Sequence, residues 1–250
     1  MLDFSGFEWW VAIVCAILIG FAKTGMVGVG VLVVAAFALM MPAKDSTGFV
    51  LPMLAFADIM AIIYWRRHVG WRLIRSLLPG TILGIVLGYL CLDWLSDDQL
   101  MPVLGLIILV QIAINYWLDK QPRLLQRLLD HRGIGVVMGA LMGATSMLAN
   151  AAGTIMTVYL LTLRYEKRRF VGTGALYFWM VNLMKIPFSV RLKLIDPVSL
   201  KTNLVLAPCI VLGGLLGIFL VERISQKWFN RVVTLLAVLA SLYLCSTAVW

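Results

Sequence analysis

The feature that most constrains this chain is a succession of long apolar runs separated by short polar stretches. Ten runs occur, each bounded by charge, proline or glycine, at 7 to 21, 27 to 41, 46 to 65, 74 to 95, 99 to 117, 134 to 148, 152 to 163, 171 to 190, 203 to 221 and 230 to 249. A helix needs roughly 20 apolar residues to cross the hydrocarbon core of a bilayer. None of the runs alternates apolar and polar residues as barrel strands do, and helices satisfy their own backbone hydrogen bonds in lipid. We therefore expect an all-α polytopic membrane protein.

The composition leaves no room for a soluble domain. Hydrophobic residues make up 62% of the chain and charged residues 13%, whereas soluble domains carry about 25% charged residues. The net charge of +9 comes from basic residues in the loops between apolar runs, where they set orientation. We therefore expect membrane lipid as the surroundings, no nucleic acid as a partner and no enzyme activity. The cysteines stand alone with no CxxC spacing, so neither a metal nor a cofactor is expected.

Four loops carry most of the basic residues, and basic loops of membrane proteins face the cytoplasm. They contain Arg66, Arg67, Arg72 and Arg75; Lys120, Arg123, Arg127 and Arg132; Arg164, Lys167, Arg168 and Arg169; and Arg223, Lys227 and Arg231. The opposite set is acidic, with Asp3, Glu8, Asp93, Asp97 and Asp98. This pattern predicts a multi-pass protein of the cytoplasmic (inner) membrane with both termini outside. One loop disagrees, since the segment with Arg191, Lys193 and Lys201 is net positive yet falls outside.

Spacing along the chain indicates an internal repeat. The matching positions are Pro79, Gly84 and Gly88 with Pro208, Gly213 and Gly217, Gly48 and Asp58 with Gly172 and Asn182, and Gly20, Gly28 and Gly30 with Gly143, Ala151 and Gly153. We predict a first repeat at 1–117, a cytoplasmic linker at 118–133 and a second repeat at 134–250. About five helical segments in each copy place the second copy upside down, the inverted-topology plan of many secondary transporters. Chance similarity among glycine-rich apolar helices is the alternative.

The first two segments of each copy are unusually short. The run at 152 to 163 covers only about 18 Å as a helix, too little to cross a bilayer. We therefore predict that each pair forms a re-entrant or broken helical hairpin. The two tips, at 21 to 30 and 145 to 153, should meet near the midplane, because broken helices are tolerated where they line a cavity or are buried in protein.

Three charged residues are expected deep in the membrane, Asp58 and Lys185 within apolar runs and Lys23 in the tip at 21 to 30, and they point to an anion. Lys23 and Lys185 are cations and Asp58 is an acid, so one positive charge remains, and a divalent cation would need several carboxylates. A lysine inside a membrane is normally paired or functional. The alternative is that Lys23 reaches an interface or is permanently neutralised by Asp58. The predicted substrate-binding residues are Lys23, Thr24, Gly25, Gly28, Gly30, Ser146, Asn150, Asn182 and Lys185. Asp58 is the predicted residue for proton coupling or gating.

Three stretches of the chain resemble a known family. They are GFAKTGMVGVG, LPMLAFADIMAIIYWRRHVGWRLIRSLLPGTILGIVLG and FVGTGALYFWMVNLMKIPF. Together they resemble the sulfite exporter TauE/SafE family, also called the 4-toluene sulfonate uptake permease family. The likeness extends over nearly the whole chain. It implies membrane transport of sulfur-containing oxyanions such as sulfite or organosulfonates, often linked to proton movement.

The inverted repeat, the deep charges and the family resemblance together predict a secondary transporter that moves a small sulfur oxyanion by alternating access, with protons as a candidate coupling ion. Two alternatives stay open. One is a non-transporting membrane subunit that anchors or scaffolds an enzyme, and the other is a passive anion channel. A homo-oligomer is also compatible with the sequence.

Overall fold

The structure, a computed structural model, is helical throughout the part of the chain that it describes. It describes residues 4–25, 40–96 and 133–225, with the further positions 33, 36, 37, 227, 228, 231 and 235. Seven α-helices lie in these ranges: α1 Gly6–Thr24, α2 Ala43–Trp65, α3 Trp71–Trp94, α4 Ile134–Ala149, α5 Ala152–Thr162, α6 Lys167–Arg191 and α7 Pro197–Arg223. A 3-10 turn at Arg66–His68 follows α2. The predicted all-α class is confirmed. The runs predicted at 27 to 41, 99 to 117 and 230 to 249 lie almost wholly outside the described residues.

The lengths of the helices fit a protein that crosses a membrane several times. Helices α1, α2, α3 and α7 are each long and apolar enough to span a bilayer. Helix α4 has 16 residues and α5 only 11, so α5 extends about 16 Å and falls short of a crossing. The short segment expected at 152 to 163 is therefore a short helix. Helix α1 continues to Thr24, three residues beyond the predicted run, and this carries Lys23 into its last turn.

Local sequence explains where two of the long helices begin. Ser5 caps α1, because its side chain accepts a hydrogen bond from the amide of Glu8 and the Glu8 carboxylate accepts one from the amide of Ser5 at 2.7 Å. Asp196 caps α7 in the same reciprocal way with Ser199. Such capping boxes satisfy amides that a helix leaves without partners. Both helices consequently begin at positions fixed by polar side chains rather than by hydrophobicity.

Glycines let two pairs of helices pack backbone to backbone. Helix α3 packs on α4, where a Cβ at Gly84 would overlap the carbonyl oxygen of Ala140. Helix α7 packs on α1, where a Cβ at Gly213 would overlap the carbonyl oxygen of Ile17. Glycine has no side chain, so it lets two helix backbones approach this closely. Gly84 and Gly213 are matched positions of the predicted copies, and Ile17 and Ala140 share the offset that relates Gly20 to Gly143. Such paired contacts are what the repeat requires, and the repeat itself stays a prediction.

Helices α2 and α6 pack together in opposite directions. The start of α2 meets the end of α6 where Gly48 lies against Leu194. The end of α2 meets the start of α6, where a Cβ at Gly172 would lie 2.9 Å from the carbonyl oxygen of Trp65. The middle of α2 therefore faces the middle of α6, with α1 packed beside α2. This crossing brings together the deep polar residues.

Candidate functional site

A cluster of charged and amide side chains lies where α1, α2 and α6 meet. The carboxylate of Asp58 on α2 is completely buried. Its Oδ2 accepts a hydrogen bond from Lys23 Nζ at 3.0 Å and one from Asn182 Nδ2 at 2.7 Å. Its Oδ1 lies 2.8 Å from the same lysine nitrogen as an ion-pair contact, but accepts no hydrogen bond of its own. Asp58 therefore ties α1 and α6 to α2.

Lys23 is held from two sides. Besides the Asp58 carboxylate, its ammonium nitrogen lies 4.7 Å from the centre of the Phe178 ring. A cation over an aromatic face is stabilised by the ring quadrupole. Only 13% of the Lys23 side chain is exposed. Phe178 was not among the predicted site residues, although its position four residues before Asn182 places both on one face of α6.

Lys185 is a buried cation of a different kind. It is 2% exposed and donates hydrogen bonds to Ser146 Oγ at 3.2 Å and to Asn150 Oδ1. Both acceptors are neutral oxygens, and no carboxylate among the described residues forms an ion pair with it. Lys185 lies one turn of α6 beyond Asn182, which donates to Asp58. Its own charge therefore has hydrogen-bond partners but no counter-ion.

The acceptors for Lys185 come from the break between α4 and α5. Asn150 ends α4 in the left-handed conformation at φ 52°, which asparagine tolerates better than most residues. Its Nδ2 donates to the carbonyl oxygen of Thr47 at 3.1 Å, so α2 fixes the break. Helix α5 begins at Ala152 with no side-chain cap, and its first turn carries the positive end of the helix dipole. The helix is broken within the tip predicted at 145 to 153.

Thr24 and Gly25 close the end of α1 onto α7. The Thr24 hydroxyl donates to the carbonyl oxygen of Gly214 at 2.7 Å, and a Cβ on Gly25 would lie 3.0 Å from the Cα of Gly217. The Thr24 carbonyl accepts a hydrogen bond from Trp65 Nε1 at 2.9 Å. Contacts of Thr24 and Gly25 with a substrate stay predictions. Gly28 and Gly30 lie outside the described residues.

Trp65 is not the interfacial anchor that its place at the end of an apolar run suggests. The structure leaves 1% of it exposed, because the end of α1, the start of α6 and the 3-10 turn surround it. Its indole N–H donates to the carbonyl oxygen of Thr24. This is one of the last carbonyls of α1, which receive no hydrogen bond from within the helix. Its role is to hold the end of α1 beside the end of α2.

The structure thus gathers six of the predicted site residues from four helices and one helix break. They are Lys23, Asp58, Ser146, Asn150, Asn182 and Lys185. Two cations and one carboxylate leave one positive charge, surrounded by amide and hydroxyl groups. In the described ranges no group of His, Cys, Asp and Glu residues has the arrangement of a metal site. The chemistry suits an anion that binds and leaves.

A multi-pass helical protein that buries charged side chains beside a broken helix has the construction of a membrane transporter. The model of the sulfite exporter TauE/SafE family matches residues 12–244, and the chain belongs to this family. The comparisons with curated proteins and with solved structures find no match. The resemblance noted in the sequence is confirmed. Membership implies a membrane transporter of sulfite- or sulfonate-type anions.

Proposed function

We propose that this protein is a secondary transporter that moves a small sulfur-containing oxyanion, sulfite or an organosulfonate, across the cytoplasmic membrane by alternating access. The observation that carries the proposal is Lys185. It is buried, it contacts only neutral oxygens, and it stands beside the break between α4 and α5. A lysine at the centre of a membrane helix costs about 3 kcal/mol or more, so a site that keeps one without a counter-ion is suited to receive an anion.

We propose that the anion binds beside Lys185 rather than beside Lys23. The charge of Lys23 is already balanced by Asp58 at 2.8 Å, whereas that of Lys185 is not balanced. Ser146 Oγ and the Asn150 amide lie within hydrogen-bond distance of Lys185 and would contact the same oxyanion. The uncapped first turn of α5 adds amide donors and a partial positive charge, as at many anion sites.

Asp58 is proposed to couple the anion to a proton or to gate its passage. It is the shared acceptor for Lys23 on α1 and Asn182 on α6. A proton on Asp58 would remove the charge that holds Lys23, and would thereby weaken the contact between α1 and α2. A local change of charge at a joint between helices is a common way to shift a conformational equilibrium.

We also propose that both termini lie on the outer side of the cytoplasmic membrane, opposite the cytoplasm. The basic turn after α2 and the basic start of α6 lie at one end of the molecule, where the amide of Gly70 donates to Thr173 Oγ1 at 2.8 Å. At the other end Glu8, Asp45 and Asp196 line one cavity. Lys193, from the loop whose charge disagreed with this orientation, lines the same cavity, so three carboxylates share the cavity with its charge.

Proteoliposomes preloaded with sulfite, with and without a pH gradient, test the proposal. We expect sulfite flux that a pH gradient accelerates and that Lys185→Met abolishes. Lys201→Met is the matched control, because Lys201 is an exposed lysine of α7 away from the cluster, and its flux should equal that of the wild type. Flux that ignores the gradient indicates the passive channel. Absence of flux from the folded wild-type protein indicates the anchoring subunit.

A further inference from the structure

We infer that the buried cluster selects oxyanions by valence: it accepts a singly charged oxyanion in preference to a doubly charged one, and Asp58 sets that preference. This inference rests on the proposed function, since it concerns the anion that binds beside Lys185. The chemical similarity of the anions alone does not predict this preference, because sulfonates and sulfate carry similar oxygen atoms and differ in charge.

Few charged residues are buried inside the molecule, and they lie in one cluster. Asp58 and Lys185 are the only buried charged residues of the described part of the chain, and Lys23 pairs with Asp58 from a side chain that is 13% exposed. The sequence adds no charge at this depth elsewhere, since the apolar runs at 27 to 41 and 99 to 117 contain no Asp, Glu, Lys or Arg, and the one charged residue of the run at 230 to 249, Arg231, stands at its start. The cluster therefore carries one positive charge.

The remaining groups around the cluster cannot alter this balance. Ser146, Asn150 and Asn182 contact the charged groups directly, and all three are neutral. They can hydrogen-bond any oxyanion, so they provide affinity without discriminating by charge. Lys23 and Asp58 face one another from α1 and α2, and Lys185 lies one turn of α6 beyond Asn182, the other partner of Asp58. Valence preference should therefore follow the sum of their charges.

A singly charged anion brings the occupied cluster to neutrality. A doubly charged anion leaves one negative charge buried among apolar helices, and an uncompensated charge is strongly disfavoured there. Even a modest difference of about 1.4 kcal/mol corresponds to tenfold in affinity. We therefore expect methanesulfonate to bind at least about tenfold more tightly than sulfate, since tenfold is the smallest preference that one unbalanced buried charge should produce.

The test uses the purified full-length chain and compares two probes at about pH 6.5, where methanesulfonate carries one charge and sulfate two and where ordinary carboxyls are ionised. Thermal stabilisation measured against probe concentration gives an apparent affinity, because a ligand of the folded state raises the unfolding temperature. Three proteins are compared: wild type, Asp58→Asn and the double variant Lys23→Met with Asp58→Asn. Their clusters carry one, two and one positive charges.

We expect wild type to prefer methanesulfonate, Asp58→Asn to prefer sulfate, and the double variant to prefer methanesulfonate again. A return of the preference for methanesulfonate in the double variant is informative. If Asp58 had only a structural role, removing Lys23 as well would not restore that preference. Equal affinity of wild type for both probes overturns the inference, as does a double variant that keeps the preference of Asp58→Asn. If Asp58→Asn does not fold, Asn182→Lys replaces it, because that change also gives the cluster two positive charges and should likewise make it prefer sulfate. If neither probe nor sulfite stabilises the folded wild type, the proposed function itself fails.

Discussion

Lys23 and Lys185 are both lysines of the membrane interior, yet the structure treats them differently. Lys23 pairs with the Asp58 carboxylate and lies over the Phe178 ring. Lys185 is more deeply buried and contacts only Ser146 and Asn150. One lysine is therefore part of a balanced structural joint, and the other supplies an unbalanced charge. Under the proposed function, a buried lysine marks a binding site when its partners are neutral, and not simply because it is buried.

The largest expected effect separates the two lysines by stability. Lys23→Met leaves Asp58 buried without its counter-ion, and breaking a buried pair in this way costs about 3–5 kcal/mol. Lys185→Met removes two hydrogen bonds, to Ser146 and Asn150, which costs about 1–3 kcal/mol. It also removes a buried cation that has no counter-ion, which offsets that cost, so the net effect should stay within about 1 kcal/mol. Unfolding of the purified variants in denaturant measures both. Equal losses of stability would contradict the distinction.

The two predicted copies offer the next comparison. Gly84→Val and Gly213→Val each force a side chain against a carbonyl oxygen of the neighbouring helix, and overpacking costs about 1–3 kcal/mol. We expect similar losses, because the two contacts occupy matched positions. Gly6→Val is the control, as no atom lies within 4 Å of a Cβ at Gly6. A large loss at only one of the two glycines would argue against equivalent packing of the copies.

The break between α4 and α5 provides a smaller effect. Asn150→Gly keeps a residue that adopts the left-handed conformation and removes the hydrogen bonds to Thr47 and Lys185. We expect a loss of about 1–3 kcal/mol of stability, the usual cost of leaving buried polar groups unpaired, and slower sulfite flux in proteoliposomes. Asn150→Asp loses the donor to Thr47 but keeps an acceptor for Lys185 and gives it a counter-ion. It should therefore slow flux more than Asn150→Gly does and cost no more stability. Undiminished flux with aspartate at this position would contradict the role of the unbalanced charge.

The smallest expected effect concerns the ring beside Lys23. Phe178→Leu keeps most of the apolar volume and removes the cation–π contact, which is worth about 0.5–2 kcal/mol. Stability should fall by that amount in a wild-type background and by less in Lys23→Met. A double-mutant cycle measures the difference. Equal losses in both backgrounds would show that Phe178 acts by packing alone.

Much of this arrangement could be predicted from sequence, because its determinants are local. Apolar runs locate the helices, and the spacing of Gly84 and Gly213 identifies close helix contacts. Matched positions also drew attention to Asp58 and Asn182, which the structure joins by a hydrogen bond of 2.7 Å. Each of these predictions depends on residue type and spacing, and both are visible in one chain.

The partners of the long side chains could not be predicted in the same way. Lys185 shares a face of α6 with Asn182, and from spacing alone it could have reached Asp58 instead of Asn150. The choice depends on where the break after α4 lies relative to α6, which is a property of tertiary packing. Trp65 shows the same limit, since the end of an apolar run becomes buried only when other helices cover it.

The most direct test of the account is the position of a bound anion. Selenite is a heavier analogue of sulfite, and anomalous diffraction from crystals soaked with it locates selenium without ambiguity. The account predicts a selenium peak beside Lys185 Nζ, within reach of Ser146 and Asn150, with Lys23 still paired to Asp58. A peak beside Lys23 with the Asp58 pair broken, or an anion bound away from Lys185, would contradict it.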